Sequence, residues 1–296
     1  MKTLLDLIGN TPLIEYETVG KNTLYLKLEK YNLGGSVKDR AVLGMIEDAE
    51  KKGLLKKGMT LIEATSGNTG ISLAMIGAIK KYKVIIIMPN TMTKERQQTI
   101  KAYGAQLILT EGRLGMQGSV DLMETMLQEE SGYFALKQFE NPANPAQHYA
   151  TTAEEILTQC PQVNVLVAGV GTGGTISGIA RKLKETIADL KAIAVEPAQS
   201  QVLRGLPASG HKIQGIGANF IPDNYDCSVV DKIVPIKEEE AFEGTKNLAS
   251  NGILVGVSSG AAYSAALKYL EDKENCHVVI ILPDGLDKYM SMGLFE

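Results

Sequence analysis

The run Val84-Ile85-Ile86-Ile87-Met88 is apolar at every position. A strand with one wet face alternates polar and apolar residues, so an unbroken run marks a strand covered on both sides, as in a parallel sheet. β-rich runs of similar character recur at 24–28, 60–64, 83–88, 106–110, 163–170, 192–196, 232–236 and 277–282. Segments with helical spacing and helix-forming composition lie between them, at 41–52, 69–81, 94–103, 115–130, 151–159, 175–185, 238–250 and 261–271. Such alternation predicts right-handed crossovers and an α/β fold. The stretch Asn141-Pro142-Ala143-Asn144-Pro145 is the best boundary between two sheets. With 296 residues the chain has room for two domains, each with its own core. The expectation is a two-domain α/β protein with a cleft between the domains.

Composition narrows the functional classes. A net charge of −4 with mixed signs argues against a nucleic-acid binder, which usually carries a basic face. No apolar run approaches the ~18 residues of a membrane span. The start Met1-Lys2-Thr3-Leu4-Leu5-Asp6 lacks the apolar core and cleavage site of a secretory leader, so a cytoplasmic location is expected. Cys160, Cys227 and Cys276 are widely separated and form no CxxC, and only His148, His211 and His277 are available to join them. A structural metal site has little support, and the cysteines read as small buried apolar residues. Met88, Met92 and Met116 read as core or cleft-wall filler, and His148 as a structural residue near the cleft.

Ligands of such sheets bind outside the carboxyl ends of the strands, where three turns rich in Gly, Ser and Thr are expected. The first is Thr65-Ser66-Gly67-Asn68-Thr69-Gly70, whose hydroxyls, amide and helix N-terminus suit a carboxylate and a phenolic oxygen. Ordinary capping is the plainer alternative. The second, Gly169-Val170-Gly171-Thr172-Gly173-Gly174-Thr175, suits a phosphate. It also satisfies G-x-G-x-x-G, with Glu196 about 20 residues further on, so a nicotinamide-dependent oxidoreductase is the rival reading. Thr172 and Thr175 favour a terminal phosphate monoester over a pyrophosphate. The third, Gly256-Val257-Ser258-Ser259-Gly260, offers a hydroxyl for a pyridine nitrogen or a helix cap.

Lys38 stands in Asn32-Leu33-Gly34-Gly35-Ser36-Val37-Lys38-Asp39-Arg40, among small loop-forming residues. A lysine beside three such turns suits a phosphorylated aldehyde: the amine condenses with the carbonyl, one turn cradles the phosphate, and the others hold the ring and a substrate carboxylate. Pyridoxal phosphate (PLP) is such a group. A neutral hydroxyl at the pyridine nitrogen makes a weaker electron sink than a carboxylate would, which favours prompt loss of a β-leaving group. Asp39 and Arg40 read as structural pairing or helix-start charges.

The chain resembles the cysteine synthase (O-acetylserine sulfhydrylase) and cystathionine β-synthase family of fold-type II PLP enzymes. The resemblance runs through Ile8-Gly9-Asn10-Thr11-Pro12-Leu13, Ser36-Val37-Lys38-Asp39-Arg40, Glu63-Ala64-Thr65-Ser66-Gly67-Asn68-Thr69-Gly70, Gln138-Phe139-Glu140-Asn141-Pro142, Gly171-Thr172-Gly173-Gly174-Thr175 and Ser258-Ser259-Gly260-Ala261, in the family's order. It implies a tryptophan synthase β-like fold, with two mostly parallel twisted sheets carrying helices on both faces. The smaller, mobile domain would span 40–144, and the larger would combine 1–39 with 145–296. It implies that Lys38 forms the internal aldimine, Asn68 bonds the ring oxygen, and Gly171, Thr172, Gly173, Gly174 and Thr175 hold the phosphate. Ser258 would meet the pyridine nitrogen, while Thr65, Ser66, Gly67, Thr69 and Gln138 bind the substrate, with Gly217 and Asn219 nearby.

The activity so implied is β-replacement: L-cysteine from O-acetyl-L-serine and sulfide, by way of an aminoacrylate. The resemblance also implies a homodimer and a cleft able to receive the C-terminal tail of serine acetyltransferase. Two departures bear on the substrate. Asn219 stands where cysteine synthases usually carry Gly, and Pro283-Asp284-Gly285-Leu286-Asp287-Lys288-Tyr289 replaces their Gly-Glu-Arg-Tyr pattern. Both raise the alternative of a cystathionine β-synthase-type thiol acceptor, or of hydrogen sulfide release from cysteine. Lys288 and Tyr289 face either the cofactor or the surface on this reading.

Overall fold

The computed structural model describes residues 2–295. Its first elements are β1 (Leu13–Val19), β2 (Asn22–Leu28) and α1 (Lys38–Lys51). There follow β3 (Thr60–Ala64), α2 (Asn68–Lys80), β4 (Lys83–Pro89), α3 (Lys94–Ala102), β5 (Gln106–Thr110), α4 (Gly115–Glu129) and β6 (Tyr133–Ala135). Helix α5 (Ala143–Gln147) runs through a π turn (His148–Thr152) into α6 (Ala153–Gln159). The chain ends with β7 (Val165–Gly169), α7 (Gly174–Thr186), β8 (Lys191–Pro197), β9 (Lys232–Ile236), α8 (Glu238–Ser250), α9 (Val257–Leu270) and β10 (His277–Leu282).

Two sheets result. One holds six strands in the order β1-β2-β10-β7-β8-β9, and the other four in the order β5-β4-β3-β6. Every pair is parallel except β1 with β2. The six-stranded sheet joins the first strands to the last, and the four-stranded sheet is built from the chain between them. Each sheet is covered on both faces. Cores including Val257 and Ala261 of α9 and Ile176 and Ile179 of α7 flank the larger sheet. Cores drawn from α1, α2 and α4 flank the smaller one. This double burial explains why the strands read as continuous apolar runs.

Some elements depart from expectation for local reasons. Strand β1 alternates around Glu15 and Glu17, is an edge, and carries a bulge between those residues, so it lacks the buried-strand signature. Strand β6 has only three residues. The Asn-Pro stretch lies between β6 of the smaller sheet and β7 of the larger, as expected of a boundary, but it is helical rather than loop: Pro145 falls in the first turn of α5, where a missing N–H costs little. The third glycine-rich turn does not follow a strand. It leaves an extended segment after α8, and α9 starts at Val257, so Ser258 and Ser259 lie in the helix's first turn. Cys160 and Cys276 are buried as expected, but Cys227 is exposed because it sits on a short surface helical turn. No helix among the described residues is long and apolar enough to cross a membrane.

A buried ion network fixes the start of α1. Arg40 pairs with Glu29 (2.7 Å) and Glu155 (2.6 Å), and Glu155 also meets Lys27 at 2.7 Å. Burial disfavours the charged form of Glu155, but Arg40 and Lys27 outweigh it and hold its pKa down to about 2. Lys38, two residues before Arg40, inherits this rigidity.

Candidate active site

Lys38 is the first residue of α1. The segment before it is fixed to the end of β10: Val37 N donates to Pro283 O at 2.8 Å, and Ser36 bridges Asp284. Because β10 is flanked by β2 and β7, Lys38 is carried to the carboxyl ends of the parallel strands. There it lines one cavity with Gly171, Thr172, Gly173, Thr175 and Gly215. Burial lowers the Lys38 pKa, and the Asp284 carboxylate opposes that drop.

The turn between β7 and α7 presents the helix N-terminus to this cavity, an arrangement suited to an anion. Thr172 Oγ1 accepts from Asn144 Nδ2 at 3.0 Å, and Thr175 Oγ1 lies 3.3 Å from His148 Nε2. Burial, with help from Arg40, pushes the His148 pKa down to about 3, so the ring is neutral. Its other nitrogen contacts Thr152 Oγ1 at 2.9 Å. His148 therefore reaches a residue of the turn, a contact its sequence neighbourhood did not announce.

The 65–70 loop connects β3 to α2, with Thr65 N held by Ile87 O at 3.0 Å. Thr69 Oγ1 donates to Gln138 Oε1 at 2.6 Å, which brings together two of the expected substrate residues. The Gln138 segment hangs on Glu63, whose carboxylate accepts from the backbone of Leu136, Lys137 and Gln138 at 3.1, 3.2 and 3.4 Å. Burial pushes the Glu63 pKa up to about 7 against those three donors. The Ser66 carbonyl accepts from Arg96, which also reaches Gln214 Oε1 at 2.8 Å and lies over the Tyr289 ring.

Asn68 opens α2, and its Nδ2 donates to Asp284 Oδ2 at 2.6 Å. Tyr289 donates to the same oxygen. Lys288 and Tyr289 are both buried rather than on the surface, and Lys288 Nζ donates to Gly35 O at 2.8 Å. Ser258 is buried beside Gly215, where a Cβ would come within 3.3 Å of the serine Oγ and the backbone has φ +99°. Gly217 N donates to Val170 O at 2.9 Å, which ties its loop to the 169–175 turn. Asn219 stands apart: its Oδ1 accepts from Ser200 at 2.7 Å, and its side chain is exposed. Its φ of +65° supplies a backbone reason for Gly or Asn at this position.

A family model described as "Pyridoxal-phosphate dependent enzyme" matches residues 4–284. The chain belongs to that family. It therefore uses PLP, and the nicotinamide reading of the second turn is set aside. The cysteine synthase of Buchnera aphidicola subsp. Schizaphis graminum is 45% identical over 302 residues, covering 98% of this chain and 94% of the relative. The crystal structure of a cysteine synthase from Entamoeba histolytica matches with a TM-score of 0.96 at 43% identity, covering 100% of this chain and 90% of that one. That of a hydrogen sulfide-producing enzyme from Fusobacterium nucleatum gives 0.92 at 46% identity, covering 98% of this chain and all (100%) of that one.

The site's chemistry fits PLP. An amine of lowered pKa shares its cavity with an anion-ready turn. Among the described residues, Asn68 Oδ1 and Ser259 Oγ are buried without a partner. Asp284, Glu63, Arg96 and Asn144 also belong to the surroundings of the site, though none stood out in the sequence as a candidate. Asp284 carried a signal only as a departure in the C-terminal pattern, Glu63 only as the head of the 63–70 motif, and Asn144 only as part of the Asn-Pro stretch.

Proposed function

We propose that this chain is a cysteine synthase, replacing the acetate of O-acetyl-L-serine with sulfide to give L-cysteine. The observation that carries this reading is the placement of Lys38 in one cavity with Gly171, Thr172, Gly173 and Thr175. The near-full-length similarity to named cysteine synthases supports it. PLP, when bound, supplies the electron-withdrawing ring that makes the substrate's α-proton removable.

The protein's residues do the rest. Lys38 is the amine that carries the cofactor and the base for the α-proton, a role favoured by its lowered pKa. The α7 N-terminus with Thr172 and Thr175 binds the phosphate, Asn68 the ring oxygen and Ser258 the pyridine nitrogen. Thr65, Ser66, Gly67, Thr69 and Gln138 bind the substrate carboxylate, with Gly217 on the neighbouring loop and Asn219 outside the pocket. The smaller domain, 40–144, closes on the larger and keeps water from the reacting carbon. Arg96 suits such closure, since it joins the carboxylate loop to Gln214 and Tyr289.

A second reading takes cysteine as donor with release of hydrogen sulfide, or a thiol such as homocysteine as acceptor. It draws on the Fusobacterium neighbour and on the altered 283–289 segment. A competition assay decides: O-acetylserine, serine and cysteine as donors against sulfide and homocysteine as acceptors. Preference for O-acetylserine and sulfide supports the first reading, and preference for cysteine or homocysteine replaces it. A cytoplasmic homodimer, with a serine acetyltransferase tail as a visitor to the cleft, accompanies the proposal on the strength of the family resemblance.

A further inference from the structure

Asn144 is 1% exposed and spends both of its amide hydrogens inside the protein. One goes to the Gln138 carbonyl at 2.9 Å and the other to Thr172 Oγ1 at 3.0 Å. The carbonyl is an acceptor only, so it dictates which way the amide faces: Nδ2 must point toward Gln138 and Thr172. Gln138 O is itself held by Asn224 Nδ2 at 2.9 Å, which fixes that reference point. The opposite end of the amide, Oδ1, has no partner among the described residues and packs against Gly174. A Cβ at 174 would come within 2.1 Å of Oδ1, so glycine there is what admits the amide to the start of α7.

The consequence falls on a hydrogen atom. A hydroxyl has one donor and two acceptor sites. Asn144 fills an acceptor site of Thr172, so the threonine's own hydrogen is left to point elsewhere. Thr172 lines the cavity that contains Lys38. A phosphate monoester offers acceptors, and a donor is what it needs from that threonine.

We propose that Asn144 is a positioning residue for the cofactor phosphate, holding the Thr172 hydroxyl with its hydrogen turned toward the anion. The inference rests on the assignment of the 171–175 turn to the phosphate, and the test separates the two. Affinities of the full-length chain for PLP and for pyridoxal, which lacks the phosphate, are measured by fluorescence titration for the parent, Asn144→Ala, Asn144→Asp, Thr172→Val and the double variant Asn144→Ala/Thr172→Val. Loss of one oriented hydrogen bond corresponds to about a tenfold weakening. Asn144→Ala and Thr172→Val are each expected to weaken PLP by about that factor, leave pyridoxal nearly unchanged, and combine without a further loss. Asn144→Asp, of the same shape but an acceptor, is expected to weaken PLP more than alanine does, and it gives the reading if the alanine variant does not fold. Equal losses for PLP and pyridoxal overturn the proposal, as does undiminished PLP binding in the Asn144 variants while Thr172→Val weakens it. If Thr172→Val itself binds PLP as well as the parent, the phosphate assignment fails and this inference with it.

Discussion

Asn68 Nδ2 donates to Asp284 Oδ2 across 2.6 Å, and that bond joins the two sheets. Asn68 is the first residue of α2, built on the smaller sheet, and Asp284 lies on the segment leaving β10 of the larger. One buried carboxylate thus orients the amide assigned to the ring oxygen and acts on the Lys38 charge.

Burial lowers the Lys38 pKa, and Asp284 works against it by favouring the ammonium. Asp284→Asn removes that opposition while keeping an acceptor for Asn68, so the Lys38 pKa falls further. The rate at which the full-length chain takes up PLP follows the neutral amine, and its pH midpoint is expected to move to lower pH. A midpoint that stays or rises contradicts the assignment.

Glu63 supports the Gln138 segment through three backbone bonds made to its carboxylate. With a pKa raised to about 7, it takes a proton as pH falls through that value and loosens the segment. Glu63→Gln is expected to raise KM for the amino acid about tenfold, the size of one lost hydrogen bond, and to abolish the rise in KM expected of the parent below pH 7. The stability effect has the opposite slope. A carboxyl whose pKa rises on folding stabilises below its ordinary value, and that contribution is lost as pH climbs toward the folded pKa. From the ordinary value of 4.5 to about 7, the loss is about 3 kcal/mol. In urea denaturation the stability difference between the parent and Glu63→Gln, in which the contributions of Asp39 and His148 cancel, should change by that amount between pH 4 and pH 8; a constant difference contradicts the assignment.

Glu155 answers in the reverse sense. Its pKa is depressed on folding, so its contribution is complete above the ordinary value and is lost as pH falls from about 4.5 toward 2. Glu155→Gln leaves Arg40 and Lys27 short of a counter-charge, and a loss of about 3 kcal/mol is expected at pH 7. The gap to the parent should narrow as pH falls through that window. A gap independent of pH would show that the ion pairs contribute little.

The strands of both sheets were legible because double burial writes itself as unbroken apolar runs, as at Val84–Met88. Strands β1 and β6 were not, since an edge with Glu15 and Glu17 on it needs no such run and β6 has only three residues. Lys38 and the turns at 65–70 and 171–175 were legible because small polar residues beside a lysine exceed what capping demands. The roles of Asp284, Glu63 and Asn144 were not, because each depends on a partner brought near by folding: Asn68 for Asp284, the 136–138 backbone for Glu63, and Thr172 for Asn144. The conformation of Asn219 was equally hidden, since a left-handed φ leaves no mark in composition.

The central claim is that Lys38 carries the cofactor. Borohydride reduction of the PLP-loaded protein, followed by peptide mapping, tests it most directly. The expected result is a pyridoxyl group on Lys38 Nζ, absent together with activity in Lys38→Ala. A label on another lysine, or full activity in Lys38→Ala, would contradict the account.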